Sequence, residues 1–310
     1  MNLKDDYTNE IISLKPDYEG EVKAILTASK HNTGQRQSVL YLHGYIDYFF
    51  HPHLGEKFNE NKFDFFALDL RKHGRALMPH QHPNYCKNIQ EYFEEISIAI
   101  SIIQKKSDSI FLFAHSTGGL TASSYMNFGK YRNSIHGLIL NSPFLDFNQS
   151  QIEKSLSRFA ANVISTVSAY AKIEGALSPA YAQSIHKDYF GSWDFNLKWK
   201  PIYGFPTYFK WVSAIAKAQK KLKKSSIQVP VLILHSSGSI KTSTFSGNAM
   251  SNDIVLNIKD IKRVGKKLGN KVTLMQIDNA QHDIFLSRAA VREHAFQKMF
   301  EWLSQTDFKK

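Results

Sequence analysis

The sequence predicts an α/β fold, a mostly parallel β-sheet flanked by helices, and three observations carry that expectation. Six short apolar, β-rich runs recur along the chain: SVLYLHG (38–44), FDFFALDL (63–70), SIFLFAHS (109–116), IHGLILNS (135–142), VPVLILHS (229–236) and KVTLMQID (271–278). Continuous apolar runs of this length suit strands covered on both faces, as parallel sheets require. Helical patterns alternate with them, which builds a doubly wound architecture. The alternation then breaks after NSPFLDF (141–147), and residues 148–227 contain no sheet-like run.

The elements follow in order. EGEVKAILTAS (19–29) reads as an antiparallel entry strand. NIQEYFEEISIAISIIQKK (88–106) reads as a helix, with Ile89, Phe93, Ile96, Ile100 and Ile103 at three- and four-residue intervals. A second helix is expected at LTASSYMNFGKY (120–131). In QIEKSLSRFAANVISTVSAYAKI (151–173), Ile152, Leu156, Phe159, Val163, Val167 and Tyr170 share one helical face. A one-sided apolar helix with few prolines around it reads as part of a helical cap, not a linker. The expected division is a core of residues 1–147 and 228–310 with a cap, residues 148–227, inserted after the sixth strand.

The chain of 310 residues carries 43% hydrophobic and 21% charged residues, a composition of ordinary globular proteins. No apolar stretch is long enough to span a bilayer, and MNLKDDYTNE is too polar for a signal peptide. Cys86 is the only cysteine, so an internal disulfide is excluded. A cytoplasmic protein is expected. The net charge of +12 is spread along the chain, apart from KKLKK (220–224). With no nucleic-acid module in view, it reads as a solvated basic surface, with at most transient membrane contact and no nucleic-acid partner.

The apolar run FLFAHSTGG (111–119) stops at a histidine, two hydroxyl residues and two glycines. A strand, a sharp turn with small-His-Ser-x-Gly, and a helix form a nucleophile elbow, which presents a strained serine to a cleft. Small residues at Ala114 and Gly118 let strand and helix pass closely, and Ser116 is the candidate nucleophile. The Thr117 N–H, at the start of the next helix, is a candidate oxyanion donor. Alternatively Ser116 is a helix N-cap at an ordinary strand end.

LYLHGYIDYFFH (40–51), ALDLRKHGRA (67–76), AHSTGGL (114–120) and NSPFLDF (141–147) resemble, in this order, the landmarks of α/β-hydrolases of the monoacylglycerol lipase, lysophospholipase and serine aminopeptidase-like group. The resemblance runs from about residue 20 to residue 305 and is least specific in the cap. It implies an α/β-hydrolase fold and a second oxyanion donor at the Tyr45 N–H, behind His43 and Gly44. His43, Arg71 and His73 are then scaffolding. Alanine stands at position 114 where the family usually has glycine.

A serine hydroxyl needs a base, and histidine, with an ordinary pKa of about 6.5, suits that role near neutral pH. The chain order in this fold is Ser, acid, His. His282, in NAQHDIFLSR (279–288) after the last strand, occupies the position where similar sequences carry the catalytic histidine. The acid is expected after VPVLILHS, yet no carboxylate follows until Asp253. Asp253 precedes an apolar helical pattern that would place Asp260 about two turns inside the helix. A lengthened loop returning to the site makes Asp253 the triad acid, with Asp146 as the alternative.

Histidine pairs at 51–53 and 80–82, with His73, lack the partners of a zinc site, so no metal and no cofactor is expected. Between residues 189 and 211, ten of twenty-three residues are aromatic. They either line an apolar slot over Ser116 or form the cap's own core. Trp193, Trp199 and Tyr208 from this segment, with Tyr45 and His115, are the candidate substrate contacts. The reading is a serine hydrolase that cleaves a small or lipid-like carboxylic ester through an acyl-enzyme, with an aminopeptidase-like peptidase or a non-catalytic ligand-binding scaffold as alternatives.

Overall fold

The computed structural model describes residues 3–148, 151–175 and 177–308. Eight strands form its sheet: β1 (Tyr7–Ser13), β2 (Lys23–Ser29), β3 (Gln37–Leu42), β4 (Asp64–Asp69), β5 (Ser109–His115), β6 (Ile135–Asn141), β7 (Val231–Ser236) and β8 (Val272–Ile277). Their order is β1-β2-β4-β3-β5-β6-β7-β8. β2 runs antiparallel to both β1 and β4, and every pairing from β4 through β8 is parallel. All six expected runs are strands, and the expected entry strand is β2. β1, whose Thr8, Asn9 and Glu10 are consecutive polar residues, has no continuous apolar run to reveal it.

Side chains alternate across the sheet. On β5, Ile110, Leu112 and Ala114 enter one buried cluster while Phe111 and Phe113 enter the other. Helices α1 (His53–Glu60), α2 (Phe93–Ile103), α3 (Thr117–Phe128), α7 (Ile258–Gly265) and α8 (Ala289–Gln305) lie between or after the strands. The helix expected over 88–106 opens instead with a 3-10 turn, Ile89–Tyr92. The Asn88 side chain accepts the Gln90 N–H at 3.0 Å, and Glu91 accepts the Asn88 N–H at 3.0 Å. This reciprocal cap tightens the first turn.

Between β6 and β7 the chain leaves the sheet and forms α4 (Gln151–Val167), α5 (Ala180–Ile185) and α6 (Phe209–Leu222). A short antiparallel pair, Lys172–Ile173 with Thr207–Tyr208, ties the segment together. The apolar face read in α4 does not turn inward. Leu156, Phe159, Val163 and Val167 are exposed, as is Tyr170 beyond the helix end, while the Ile152 side chain lies outside the described residues. Among the described side chains of this helix, small Ala161 and Ser165 are the buried ones, and Asn162 bonds Ser213 of α6 at 3.4 Å. Close approach through small residues settles the orientation that the apolar periodicity alone predicted the other way.

No helix among the described residues is long and apolar enough to cross a membrane.

Candidate active site

Ser116 stands between β5 and α3 with φ 50° and ψ −117°. A non-glycine residue held there stores about 1–3 kcal/mol of strain, so its surroundings must over-determine it. Its N–H donates to the Asn141 carbonyl at 3.0 Å, and its own carbonyl accepts from Gly119 and Phe144, each at 2.9 Å. Gly118 is required for the crossing of strand and helix. A Cβ there would come within 2.4 Å of the His43 carbonyl oxygen and 2.6 Å of that of Leu42. Gly118→Ala is therefore expected to lose about 1–3 kcal/mol of stability, the usual cost of overpacking, read as a lowered denaturation midpoint.

The three candidate triad residues converge. His282 Nε2 lies 3.0 Å from Ser116 Oγ, and His282 Nδ1 lies 2.9 Å from Asp253 Oδ2. Facing a carboxylate, Nδ1 carries the ring proton, which leaves the Nε2 lone pair toward the serine. Asp253 Oδ1 accepts the Val255 and Leu256 N–H groups at 2.9 and 2.8 Å, so both carboxylate oxygens are engaged. This turn occupies the residues expected to begin a helix. α7 starts instead at Ile258, capped by Asn257, which puts Asp260 in its first turn rather than two turns inside. Asp146 does not approach His282: it binds Arg158 at 2.9 Å and Arg263 at 2.6 Å.

The loop after β3 brings Gly44 and Tyr45 against the serine, since a Cβ on Gly44 would lie 3.2 Å from Ser116 Cβ. Among the described residues, neither the Tyr45 nor the Thr117 N–H donates to a protein acceptor. His43 holds the loop from below. Its Nδ1 donates to the Gly44 carbonyl at 2.8 Å and its Nε2 accepts the Leu70 N–H at 3.0 Å, the pattern of a neutral structural imidazole. Arg71 binds Glu94 and Glu95, and His73 bonds the Arg71 carbonyl.

A second tie on this loop is not visible in the sequence. Lys200, from the inserted segment, reaches Asp47 at 2.7 Å, and both residues are buried. Burial alone would raise the Asp47 pKa, but Lys200, with His115 and His43, outweighs it and holds the group at about 2. Tyr45 adds a further link, its hydroxyl 3.2 Å from Thr207 Oγ1 and its ring stacked on Trp211 at 4.0 Å.

Asn141, at the end of β6, joins the two reacting loops. Its carbonyl accepts from Ser116, its Nδ2 donates to Asp283 at 2.7 Å, and its Oδ1 accepts the Ile284 N–H at 3.3 Å. His115 packs under the site with its ring 4.9 Å from that of His282. Burial lowers its pKa to about 4 despite the nearby Asp283. Tyr181 of α5, which the sequence did not single out, meets the His282 ring edge-on at 5.3 Å.

The other expected substrate contacts, among the described residues, meet residues other than the triad. Trp193 donates to the Leu286 carbonyl at 2.7 Å and stacks on His53, and Trp199 packs edge-on against Tyr48. Both join a side cluster with Phe50, Ile185 and Phe195. Tyr208 packs edge-on against Tyr85 and His82 within the main core. Ser116 is 8% exposed, His282 2% and Asp253 0%.

Residues 33–288 match the family model described as serine aminopeptidase, S33. The chain belongs to that family. The S33 assignment agrees with the fold of solved structures. A soluble variant of monoglyceride lipase from Saccharomyces cerevisiae, in complex with a substrate analog, shares 19% identity over 96% of each chain at a TM-score of 0.69. A highly thermostable carboxyl esterase from Bacillus coagulans, in complex with glycerol, shares 14% identity over 96% of this chain and 98% of its own, at 0.65. Est1E from Butyrivibrio proteoclasticus, bound to ferulic acid, shares 17% identity over 92% and 96%, at 0.57. These likenesses establish the α/β-hydrolase fold. Among curated protein sequences, none matches this S33 chain.

Proposed function

We propose that this S33-family protein is a cytoplasmic serine hydrolase that cleaves a small or lipid-like carboxylic ester. Ser116 Oγ attacks the ester carbonyl carbon as His282 Nε2 takes its proton, and Asp253 stabilises the imidazolium through Nδ1–H. The Tyr45 and Thr117 N–H groups receive the oxyanion. Collapse of the tetrahedral intermediate expels the alcohol, which leaves with the proton from His282. Water, deprotonated by His282, then attacks the acyl-enzyme and releases the acid.

The observation that carries this reading is the 3.0 Å approach of His282 Nε2 to Ser116 Oγ, backed by the 2.9 Å pairing with Asp253. The residues 148–227 act in this reading as the cap that keeps water from the site, with Tyr45 and Tyr181 as the substrate contacts nearest the triad. Esters are preferred to N-terminal peptide bonds on electrostatic grounds. An aminopeptidase needs an uncommitted carboxylate for the substrate amine, but Asp47 is neutralised by Lys200, and Asp283 is held by Asn141 and the Phe285 N–H.

A fluorophosphonate probe tests the reading directly. Covalent labelling of the wild type, absent in Ser116→Ala, is the expected result. A wild-type protein that neither labels nor turns over p-nitrophenyl esters of any chain length would instead be a ligand-binding scaffold.

A further inference from the structure

We propose that the cleft bounded by α4, α6 and α7 binds a phosphate-headed amphiphile, at a site separate from Ser116. The cleft measures about 810 Å³ and none of its lining residues belongs to the triad. That volume is within the roughly 300–1,000 Å³ typical of small-molecule sites.

Its chemistry is two-sided. Leu145, Phe159, Ala216, Leu222 and Val264 supply apolar wall, and Phe159 is 71% exposed. Around them stand six cations, Arg158, Lys217, Lys220, Lys223, Arg263 and Lys267, against a single carboxylate, Asp146, among the described lining residues. Asp146 fixes the two guanidinium groups in place, and Arg263 is further held by Asp260 at 2.7 Å. The four lysines form no ion pair with a described residue. Like charges gathered in a concavity repel one another and concentrate anions from solution.

Two buried polar atoms of the lining residues, Arg158 Nε and Gln219 Oε1, have no hydrogen-bond partner among the described residues. Gln219 is oriented by its Nε2, which donates to the Phe144 carbonyl at 3.2 Å, so its free atom is an acceptor. A phosphate monoester in the cleft accepts from the lysine ammonium groups and the outer guanidinium N–H groups that line it. The apolar wall then takes the alkyl stem, a role that inorganic phosphate leaves unfilled.

Calorimetric titration of the full chain with hexyl phosphate, at low salt, is the test, with inorganic phosphate and 1-hexanol as the other arms. Saturable one-to-one binding of hexyl phosphate is expected, at least about tenfold tighter than inorganic phosphate, since buried methylenes contribute favourably. Binding should weaken with added salt. The Lys217→Gln/Lys220→Gln double variant should lose about tenfold, as removing charged hydrogen bonds does, and these exposed positions spare the fold. Ser116→Ala should bind as the wild type does, so the result is independent of the catalytic reading. No saturable binding, equal binding of inorganic phosphate, indifference to the double lysine variant, or loss of binding in Ser116→Ala would each overturn the proposal.

Discussion

Ser116→Ala should lower p-nitrophenyl ester turnover by about 10⁴- to 10⁶-fold, the range seen when a triad nucleophile is removed. Without Oγ no acyl-enzyme forms, and what remains is oxyanion stabilisation and substrate binding. The companion variants locate the acid. Asp253→Asn should cost about 10⁴-fold, because an amide oxygen or nitrogen at that place no longer enforces the productive tautomer of His282. Asp146→Asn should change kcat by less than about tenfold, since its carboxylate serves Arg158 and Arg263, surface-side pairs that act on stability rather than on chemistry. Steady-state kinetics on one soluble ester, with the folded state checked by circular dichroism, separates these outcomes. Comparable losses for Asp253→Asn and Asp146→Asn would remove Asp253 from its assigned role.

Lys200→Met should destabilise the protein by about 3–5 kcal/mol, the cost of leaving a buried charge without its partner. Lys200 and Asp47 are 5% and 3% exposed, and the pair joins the insertion to the loop that carries Tyr45. The pH dependence supplies the sign. In the wild type the Asp47 pKa falls from 3.8 to about 2 on folding. Its contribution is therefore present above pH 4 and is lost as the pH falls through that interval. In Lys200→Met the largest opposing charge is gone, so burial, which favours the neutral acid, weighs more heavily on Asp47. The deficit relative to wild type should then narrow as the pH is lowered, because Asp47 can take up a proton. Denaturation midpoints measured between pH 4 and 8 check both the size and the trend; a deficit that does not change with pH would mean that lost packing, not charge, dominates.

The parts of the fold and site that could be read from the sequence are those encoded locally. The six central strands announce themselves because burial on both faces demands unbroken apolar runs, and the Ser116 turn is legible because its small residues answer a local steric requirement. His282 was placed by its position after the last strand together with the family resemblance of its segment. Asp253 was harder, since the loop before it is long and carries no pattern of its own, and its turn made with the Val255 and Leu256 amides displaced the start of α7. β1 was invisible because an edge strand with a mostly exposed face needs no apolar run. The outward face of α4 was misread for the opposite reason: apolar periodicity reports a face but not what covers it. The Lys200–Asp47 pair spans 153 positions and joins two elements of different layers, so no local pattern could reveal it.

Asn141 bears on how accurately the nucleophile and the base are spaced. Ser116 and His282 are separated by 166 positions, yet each is referenced to the same residue at the tip of β6, one through a main-chain carbonyl and the other through the adjoining Asp283. Positional error therefore does not accumulate through the intervening chain. The sheet acts as a common datum for both loops.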